Sequence, residues 1–359
     1  MSLWYVYPIW HRVSFTLIAK KHLEYMKKKA RVEEIDELAF PHILPHSRPL
    51  VFIQPFFYVM LRSSRFISRR LHAYRGFIGI DVADSDRISN LAVSMTDYVE
   101  VMVVPSSFAK EAYIKSGATC RVEVVPHGLD DYWFTDPPRL TQSFPDLFNL
   151  KRQRRLKFLL FFLWHSDYRK GADLVYNFYR ELKKERKDVV LIFKTATADG
   201  HWAKKFKELS CIHVYGWLTE EQKMELYDLS DIYLLFSRGG GFELNGLEAL
   251  VRGCFVIAPN RGSWVDYLDR MHLVNSHSCS YVLKDNPIHC GKGVEVDIER
   301  AIDRVHVVLD NLDDFKAKQR EFVMKRVYPN FRWEVVADRL LEIAKAIYER
   351  QRGVVAHVV

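Results

Sequence analysis

The chain has 359 residues, of which 48% are hydrophobic and 27% are charged, and its net charge is +8. This length suits two domains better than one hydrophobic core, and the composition excludes an intrinsically disordered chain. The positive charge favours an anionic partner such as a nucleotide or a lipid surface.

The sequence also bears on the compartment. No run reaches the roughly 18 apolar residues of a membrane-spanning helix, and the N-terminus does not have the pattern of a secretory signal peptide. The five cysteines are scattered and odd in number, which fits a reducing environment better than a disulfide framework. We therefore expect a cytoplasmic protein, and peripheral association with the inner face of the membrane is a candidate location.

In the first half, short apolar runs alternate with segments of helical periodicity. Strands are predicted at 3–7, 50–56, 76–83, 99–105 and 121–128, and helices at 13–29, 87–97 and 106–117. Ser106 is a candidate N-cap of the last helix. The alternation predicts an α/β domain with a doubly wound parallel sheet over 1–135, followed by a linker over 136–155 that is rich in proline and basic residues.

The same alternation begins again after the linker. Strands are predicted at 156–164, 188–196, 211–217, 231–237 and 254–260, and helices at 171–185, 219–230 and 244–253. Thr219 and Gln222 have the spacing of a capping box. These elements predict a second Rossmann-like domain over 156–335, and a late helix at about 340–359 is a candidate for packing back on the first domain. The two domains are expected to face each other across a cleft at the carboxyl ends of their strands.

A glycine-rich segment, RGGGFELNGLEAL at 238–250, lies between a predicted strand and a predicted helix. The N-terminus of a helix presents free N–H groups and the positive end of the helix dipole, which together bind phosphate. Glycine lets the backbone come close to such a ligand. The segment has neither the Lys-Ser/Thr of a Walker loop nor the GxGxxG of a first βαβ unit, and a plain turn is the alternative interpretation.

The order of these motifs resembles that of the retaining GT-B glycosyltransferases, the family-4-like enzymes of group 1. That family has a Glu-Gly-Phe-Gly-Leu-x-x-x-Glu-Ala pattern at this place. The present segment matches it at Gly241, Phe242, Leu244, Leu247, Glu248 and Ala249. The segments DYRKGADLV (167–175) and VPHGLD (125–130) resemble further parts of the family, and the resemblance covers about residues 75–270. It implies a metal-independent hexosyltransferase without a cofactor, whose donor substrate is a UDP- or GDP-linked sugar.

The resemblance implies roles for individual residues. Lys170, together with Arg169, matches the lysine that neutralises the leaving diphosphate. Glu248 matches the glutamate that accepts hydrogen bonds from the ribose hydroxyls. Other residues are candidates for contacts with the phosphate, the sugar or the base of the donor. They are Gly240, Gly241, Phe242, Gly216, Trp217 and His165.

The match to the family pattern is incomplete in the glycine-rich segment. Gly240 stands where the family has its first glutamate, and Glu243 stands where the family has a glycine. Either Glu243 takes over the catalytic contact to the donor sugar, or that contact is lost or altered. The family's arginine before the lysine turn is also absent, and Arg238 is the candidate that compensates for it.

Candidate acceptor-side residues occur in the first domain. Asp81, Asp84 and Asp86 follow a predicted strand, and Asp81 is the candidate that orients the acceptor hydroxyl. Helix capping is the alternative interpretation of these aspartates. His127 and His11 are expected to face the cleft, although a lone histidine is more often structural.

Arginines at helical spacing form a basic face in the first domain. Arg62, Arg65, Arg69 and Arg70 follow a strongly aromatic segment. A solvated charged face is the ordinary interpretation, and contact with anionic lipid headgroups is the functional one. No helix-turn-helix, zinc-finger or RRM pattern is present, so nucleic acid is not an expected partner.

Together these features predict a glycosyltransferase that moves a sugar from a nucleotide-sugar donor to a lipid-linked, glycan or protein acceptor. The resemblance implies that the anomeric configuration is retained. Two alternatives stay open. One is a sugar-nucleotide epimerase or a phosphorylase on the same fold, and the other is a non-catalytic GT-B protein for binding or scaffolding, which the missing first glutamate makes conceivable.

Overall fold

The structure, a computed structural model, describes residues 1–11 and 13–356. Contacts within the chain divide it into two compact units. The first unit comprises residues 1–128 and 285–290 and the chain from Asn330 onward, and the second comprises 129–284 and 291–329. The crossing at 284–291 was not predicted from the sequence, whereas a return of the last helix to the first unit, which the crossing at 329–330 makes, was an expectation.

The first unit is a parallel sheet covered by helices. Its strands are β1 (Leu3–Tyr7), β2 (Val32–Asp36), β3 (Leu50–Ile53), β4 (Gly76–Ile80), β5 (Val101–Val104) and β6 (Arg121–Val124). Its first helices are α1 (Ser14–Met26), α2 (Phe56–Ser68), α3 (Asn90–Met95) and α4 (Ser107–Lys115). The strand order is β2-β1-β3-β4-β5-β6, and all pairs are parallel. The central strands are apolar throughout and buried, as expected for a sheet with helices on both faces.

The second unit repeats this architecture. Its main strands are β7 (Lys157–Leu163), β8 (Val189–Thr195), β9 (Ile212–Tyr215), β10 (Ile232–Leu234), β11 (Phe255–Pro259) and β12 (Leu273–Val274), and β13 (Ser276–Cys279) pairs antiparallel with β14 (Gly293–Val296). Its helices are α5 (Asp131–Thr135), α6 (Pro145–Arg154), α7 (Asp167–Lys170), α8 (Ala172–Glu185), α9 (His201–Glu208), α10 (Glu220–Leu229), α11 (Leu244–Val251), α12 (Ile298–Asp310) and α13 (Leu312–Phe322).

The strand order of the second sheet fixes where its site can be. The order is β12-β11-β10-β7-β8-β9, so successive strands leave β7 in one direction and β10 in the other. Such a switch point leaves a crevice at the carboxyl ends of the two central strands, where open α/β sheets bind ligands. The segments that follow β7 and β10 are therefore the place to look for a site.

Two local predictions are confirmed by the hydrogen bonds. The Thr219 side chain accepts from the Gln222 N–H while the Gln222 side chain accepts from the Thr219 N–H, which is the capping box at the start of α10. The Ser106 hydroxyl accepts from the Ala109 N–H at the start of α4, as an N-cap does.

The segment predicted as a linker, 136–155, contains a helix. Pro145 occupies the first turn of α6, where the missing N–H of proline costs nothing. The Glu225 carboxylate accepts from the N–H groups of Ser143 and Phe144 at 2.6 and 3.1 Å, which holds the segment against the second unit. Proline and a basic cluster thus mark a helix start here, and the boundary between the units falls at 128–129.

The last helix, α14 (Trp333–Ala356), belongs to the first unit. It lies against α1 and the start of β1. Lys29 Nζ is 2.7 Å from Asp338 Oδ1, and the Tyr348 hydroxyl donates to the Ser2 carbonyl at 2.8 Å. The chain therefore ends in the unit in which it begins.

Candidate functional site

Two segments meet at the switch point of the second sheet. The lysine turn (residues 167–171) follows β7, and the glycine loop (residues 238–243) follows β10. The Arg238 N–H donates to the Arg169 carbonyl at 2.7 Å, and Arg169 Nη1 donates to the Gly239 carbonyl at 3.3 Å. These bonds join the turn and the loop into one structure.

Gly171 is required where the lysine turn ends. Its φ is +72°, a conformation that L side chains rarely adopt, and a Cβ there would collide with the Phe236 carbonyl oxygen at the end of β10. The close approach of the two segments therefore depends on a glycine at this position. This is the Lys-Gly turn that the family resemblance picked out.

Glu243 lies between the two cations of the lysine turn. Its Oε1 is 3.2 Å from Arg169 Nη1 and its Oε2 is 2.5 Å from Lys170 Nζ, and the Glu243 side chain is only 3% exposed. Glu243 has a φ of 61°, in the left-handed region that suits the glycine of the family pattern. Two cations and one carboxylate leave this group with an excess positive charge.

The Glu243 carboxylate fills the space beside Gly240. A Cβ built at Gly240 would collide with Glu243 Oε1, and its other near neighbours are also atoms of the Glu243 side chain. A side chain at position 240 and the Glu243 side chain therefore compete for one volume. The carboxylate that is missing at position 240 is replaced in space by one that arrives from three residues further along the chain.

The side chain of Arg238, the first residue of the glycine loop, is held by groups outside the loop. Its guanidinium makes a two-bond pair with the Asp173 carboxylate, both at 2.7 Å, and Nε is 2.6 Å from Glu295 Oε1. Nη1 also donates to the Tyr168 carbonyl at 2.6 Å, and the guanidinium lies 3.8 Å from the centre of the Tyr168 ring. With its side chain only 3% exposed, Arg238 is occupied in fixing the loop. Its predicted compensating contact to the donor stays a prediction.

Glu248 is the centre of a second buried group, on α11. Its Oε1 is 2.9 Å from Lys223 Nζ, and its Oε2 accepts from the Tyr227 hydroxyl at 2.8 Å and from Asn245 Nδ2 at 3.2 Å. Burial raises the pKa of this carboxyl, and Lys223 opposes that rise. The carboxylate that the sequence assigned to ribose is thus held in one orientation before any ligand binds.

The remaining donor-side residues differ in exposure. Gly240, Gly241 and Phe242 are buried, and the Phe242 ring packs on Tyr267 at 5.2 Å between centroids. Trp217 is 66% exposed and follows Gly216, whose φ is +89°. His165 is exposed, with Nδ1 2.9 Å from the Ser166 hydroxyl oxygen. Phe242 therefore contributes its ring to the core, whereas Trp217 presents its ring to solvent.

In the first unit, Asp81 is an interior residue at the end of β4. Its Oδ2 accepts from the Phe57 N–H at the start of α2, and its Oδ1 accepts from the Val82 N–H, both at 2.8 Å. Burial raises the pKa of Asp81 to about 7, and these bonds oppose the rise. These contacts match the capping alternative. Its predicted role toward an acceptor stays a prediction.

A cavity of about 10 Å³ adjoins Asp81. His22, Gln54 and His127 also line it, and burial lowers the pKa of each histidine to about 3. This volume holds roughly one water molecule. The cavity brings Asp81 and His127 together but has no room for a sugar.

The other acceptor-side candidates do not line this cavity. The Asp84 N–H donates to His289 Nδ1 at 3.3 Å, and Asp86 is half-buried in the same loop. His11 is exposed, and its Nε2 lies 3.7 Å from a carboxylate oxygen of the buried Glu37. Of the predicted acceptor residues, Asp81 and His127 therefore line the cavity, and Asp84 lies close enough to Asp81 to contribute to the rise in its pKa.

Comparison with known proteins identifies the family. The model of "Glycosyl transferases group 1" matches residues 157–278. "Uncharacterized protein 356" of Sulfolobus islandicus rod-shaped virus 1 is 34% identical over 352 residues, which cover 95% of this chain and 98% of that protein. "Putative glycosyltransferase 45" of Sulfolobus islandicus filamentous virus is 25% identical over 67% of this chain and 66% of that protein. The chain belongs to the group 1 glycosyl transferases.

A solved structure shows the fold of this glycosyltransferase independently. A UDP-forming α,α-trehalose-phosphate synthase from Burkholderia xenovorans matches with a TM-score of 0.63 and 12% identity, over 84% of this chain and 74% of that one. At that identity the match concerns the fold alone. The two parallel α/β sheets of the glycosyltransferase are those of the GT-B class, as the sequence predicted.

Neither a metal-site cluster nor a membrane-spanning helix occurs in the part of the chain that the structure describes. Within residues 1–11 and 13–356, no group of three or more His, Cys, Asp or Glu residues has the arrangement of a metal site. None of the helices described is both long and apolar enough to cross a membrane.

The sequence interpretation missed the groups that surround Glu248. Lys223 and Tyr227 lie four residues apart on α10 and reach the same carboxylate. Their spacing puts them on one helical face, which was a usable signal. What it could not reveal is that this face points at α11, because that depends on how the two helices pack.

Proposed function

We propose that this glycosyltransferase moves a sugar from a nucleotide-sugar donor, bound by the second unit, to an acceptor, with retention of the anomeric configuration and without a metal ion. A UDP- or GDP-linked hexose is the proposed donor, and a lipid-linked, glycan or protein molecule is the proposed acceptor. The observation that carries the proposal is the Glu243 carboxylate, which is held by Arg169 and Lys170 in the space beside Gly240.

The charges at the lysine turn suit the departure of a diphosphate. Negative charge accumulates on the leaving nucleotide as the bond to the sugar breaks, and fixed cations stabilise that charge without reorganising. Arg169 and Lys170 are such cations, because Glu243 and the bonds to the glycine loop hold them in place. In this role they replace the metal ion that other transferases use.

Glu243 is proposed to contact the donor sugar. Its carboxylate contacts Arg169 and Lys170, which are proposed to bind the diphosphate. It fills the space that a side chain at residue 240 would occupy. A carboxylate there accepts hydrogen bonds from sugar hydroxyls. Glu248 is proposed to do the same for the ribose hydroxyls, oriented by Lys223 and Tyr227.

A peripheral position on the inner face of the membrane is proposed for the first unit. Arg62, Arg65 and Arg69 are exposed on or just after α2, and Leu61 and Phe66, 48% and 46% exposed, lie among them. Arg70 is half-buried and donates to the Pro41 carbonyl. Cations interleaved with apolar side chains suit an anionic lipid surface. We expect the protein to sediment with anionic vesicles and not with zwitterionic ones. Sedimentation with neither kind of vesicle, or equally with both, would contradict this.

Donor turnover tests the proposed transfer. A panel of UDP-, GDP- and ADP-linked sugars is first used to find the donor that raises the unfolding temperature and is consumed. Lys170→Met is then expected to lower kcat for that donor by about 10²–10³-fold, because a fixed charge on the leaving group is worth roughly 3–4 kcal/mol. Lys184→Met, at an exposed lysine of α8, is the matched control and keeps wild-type turnover.

The alternatives give different results in the same experiment. If no nucleotide sugar raises the unfolding temperature, the enzyme proposal is contradicted and the non-catalytic alternative is favoured. Conversion of the donor into an isomeric nucleotide sugar, without release of nucleoside diphosphate, would identify an epimerase. Unchanged turnover in Lys170→Met would contradict the proposed role of Lys170 in stabilising the leaving diphosphate.

A further inference from the structure

Lys194, near the end of β8, is a buried cation without a counter-ion. The residue is 6% exposed. Its Nζ lies 4.1 Å from the centre of the Trp164 ring and 6.0 Å from that of Phe162. Among the residues that the structure describes, none forms a hydrogen bond or an ion pair with this ammonium. Lysine is almost never this buried unless it is paired.

The carboxylates of the neighbouring helices are already engaged. Glu220 and Glu248 both bind Lys223, at 2.8 and 2.9 Å. Burial, with a smaller contribution from Lys223, lowers the pKa of Lys194 to about 8. At neutral pH the site therefore holds an ammonium whose hydrogen-bonding capacity is not used by the protein.

The position of Lys194 follows from the strand order and from Phe162. β8 lies beside β7, on the side away from β10, so it is two strands or roughly 10 Å from the glycine loop. Lys194 pairs in register with Phe162, and the Phe162 ring stacks on Tyr227, a ligand of Glu248. Lys194 is thus on the same face of the sheet as Glu248, the carboxylate proposed to bind the ribose. It lies further from the lysine turn, which is proposed to bind the diphosphate.

The indole ring of Trp164 lies beside this ammonium, and a second exposed indole, that of Trp217, packs against Trp164. Trp164 is 44% exposed and Trp217 is 66% exposed, and their rings meet edge to face at 5.6 Å between centroids. The Gly216 N–H donates to the Thr195 carbonyl at 3.1 Å, which fixes the Trp217 loop to the end of β8. Exposed aromatic faces beside a polar group are a general way to hold a planar base, by stacking and by one directed hydrogen bond.

We propose that Lys194 Nζ donates a hydrogen bond to a carbonyl oxygen of the donor's base, and so selects uracil or guanine nucleotides over adenine nucleotides. Uracil and guanine present such an oxygen, whereas adenine presents an amino group that repels a cationic donor. This inference rests on the proposed function, because it takes the diphosphate and the ribose to lie at the lysine turn and at Glu248.

Nucleotide affinities measured by calorimetry test the proposal. Wild-type protein is expected to bind UDP or GDP at least tenfold more tightly than ADP. Lys194→Met is expected to weaken the preferred nucleotide by roughly tenfold or more, which corresponds to one charge-assisted hydrogen bond, and to change the affinity for ADP less than about twofold. Lys205→Met is the matched control, because Lys205 also lies over aromatic rings, those of Tyr176 and Trp202 on the other face of the sheet.

Each other outcome is decisive. An equal loss for UDP, GDP, ADP and inorganic pyrophosphate would make Lys194 a phosphate ligand and overturn the proposal, as would wild-type affinities in Lys194→Met or a wild-type preference for ADP. If wild-type protein binds none of the nucleotides, the proposed function itself fails. Lys194→Gln, with the same expected direction of change, replaces the Met variant if its unfolding temperature falls below that of the wild type.

Discussion

The carboxyl ends of the two sheets hold their titratable groups in different ways. In the second unit, Glu243, Arg238 and Glu248 are buried within 2.5–2.9 Å of side chains of opposite charge. In the first unit, Asp81 and His127 are buried beside one small cavity. Burial raises the pKa of Asp81 and lowers that of His127, and both shifts favour the neutral form. Similar strand topology therefore supports two electrostatic designs.

The difference shows which unit is prepared for a charged ligand. Paired ions at fixed positions can exchange part of their bonding for a ligand's charge without moving. Burial favours the neutral forms of Asp81 and His127, so these groups offer less charge to a ligand. The donor chemistry is accordingly expected in the second unit, and substitutions in the two regions should change different observables.

The largest expected effect is on stability, at Arg238. Arg238→Met leaves the Asp173 and Glu295 carboxylates without the guanidinium that they share. We expect a loss of about 3–4 kcal/mol in the free energy of unfolding, in the lower part of the range for a buried ion pair, because Arg238 is buried but its carboxylate partners are 37% and 34% exposed. Denaturant unfolding followed by circular dichroism measures it.

Arg186 provides the matched control for Arg238. It also binds two carboxylates, Asp188 and Asp310, but the Arg186 side chain is 16% exposed against 3% for Arg238, and its carboxylates are 41% and 61% exposed against 37% and 34% for Asp173 and Glu295. Solvent screens such pairs, so Arg186→Met should cost no more than about 1 kcal/mol. Equal losses in the two variants would show that the ion network of the second unit is not special.

The next effect concerns pH, at Asp81. Its pKa is about 7 in the folded protein and 3.8 for a free side chain, so its contribution to stability is complete below about pH 4 and is lost as the pH rises to 7. Asp81→Asn removes this dependence. The stability of the variant relative to wild type should therefore increase by about 2–4 kcal/mol between pH 4 and pH 7.

Unfolding curves at several pH values check this prediction. The difference between the two proteins matters, because the buried His22 and His127 produce the opposite slope, with stability lost as the pH falls below about 6. Asp97→Asn, at an exposed site of the same unit, is the control. A difference that stays flat from pH 4 to pH 7 would mean that Asp81 is ionised throughout.

The sequence predicted most of the fold because its signals are local. Apolar runs such as LKFLLFFLW at 156–164 and amphipathic segments such as 171–185 specify strands and helices without knowledge of the rest of the chain. β2 was missed because VEEID is an edge strand whose polar residues hide its apolar pattern. The return of residues 285–290 to the first unit was missed because it depends on distant contacts, such as the Ser89 N–H with the Ile288 carbonyl.

The site was less predictable for the same physical reason. The motif located the glycine loop, the lysine turn and Glu248, but the partners of Arg238 come from 65 and 57 residues away. Lys194 has no motif, and its importance appears only when its burial and lack of partners are known. The competition between Gly240 and Glu243 likewise required the left-handed backbone at Glu243.

The central claim is that Glu243 occupies the place of the family's first glutamate, and exchanging the two residues tests it most directly. Glu243→Gly removes the carboxylate, and Gly240→Glu with Glu243→Gly restores the family sequence EGFGL at 240–244. Donor turnover is measured for wild type, both single variants and the double variant. We predict at least a tenfold loss in Glu243→Gly, a loss in Gly240→Glu because two side chains compete for one volume, and recovery of most activity in the double variant. Wild-type turnover in Glu243→Gly, or a double variant no better than Glu243→Gly, would contradict the account.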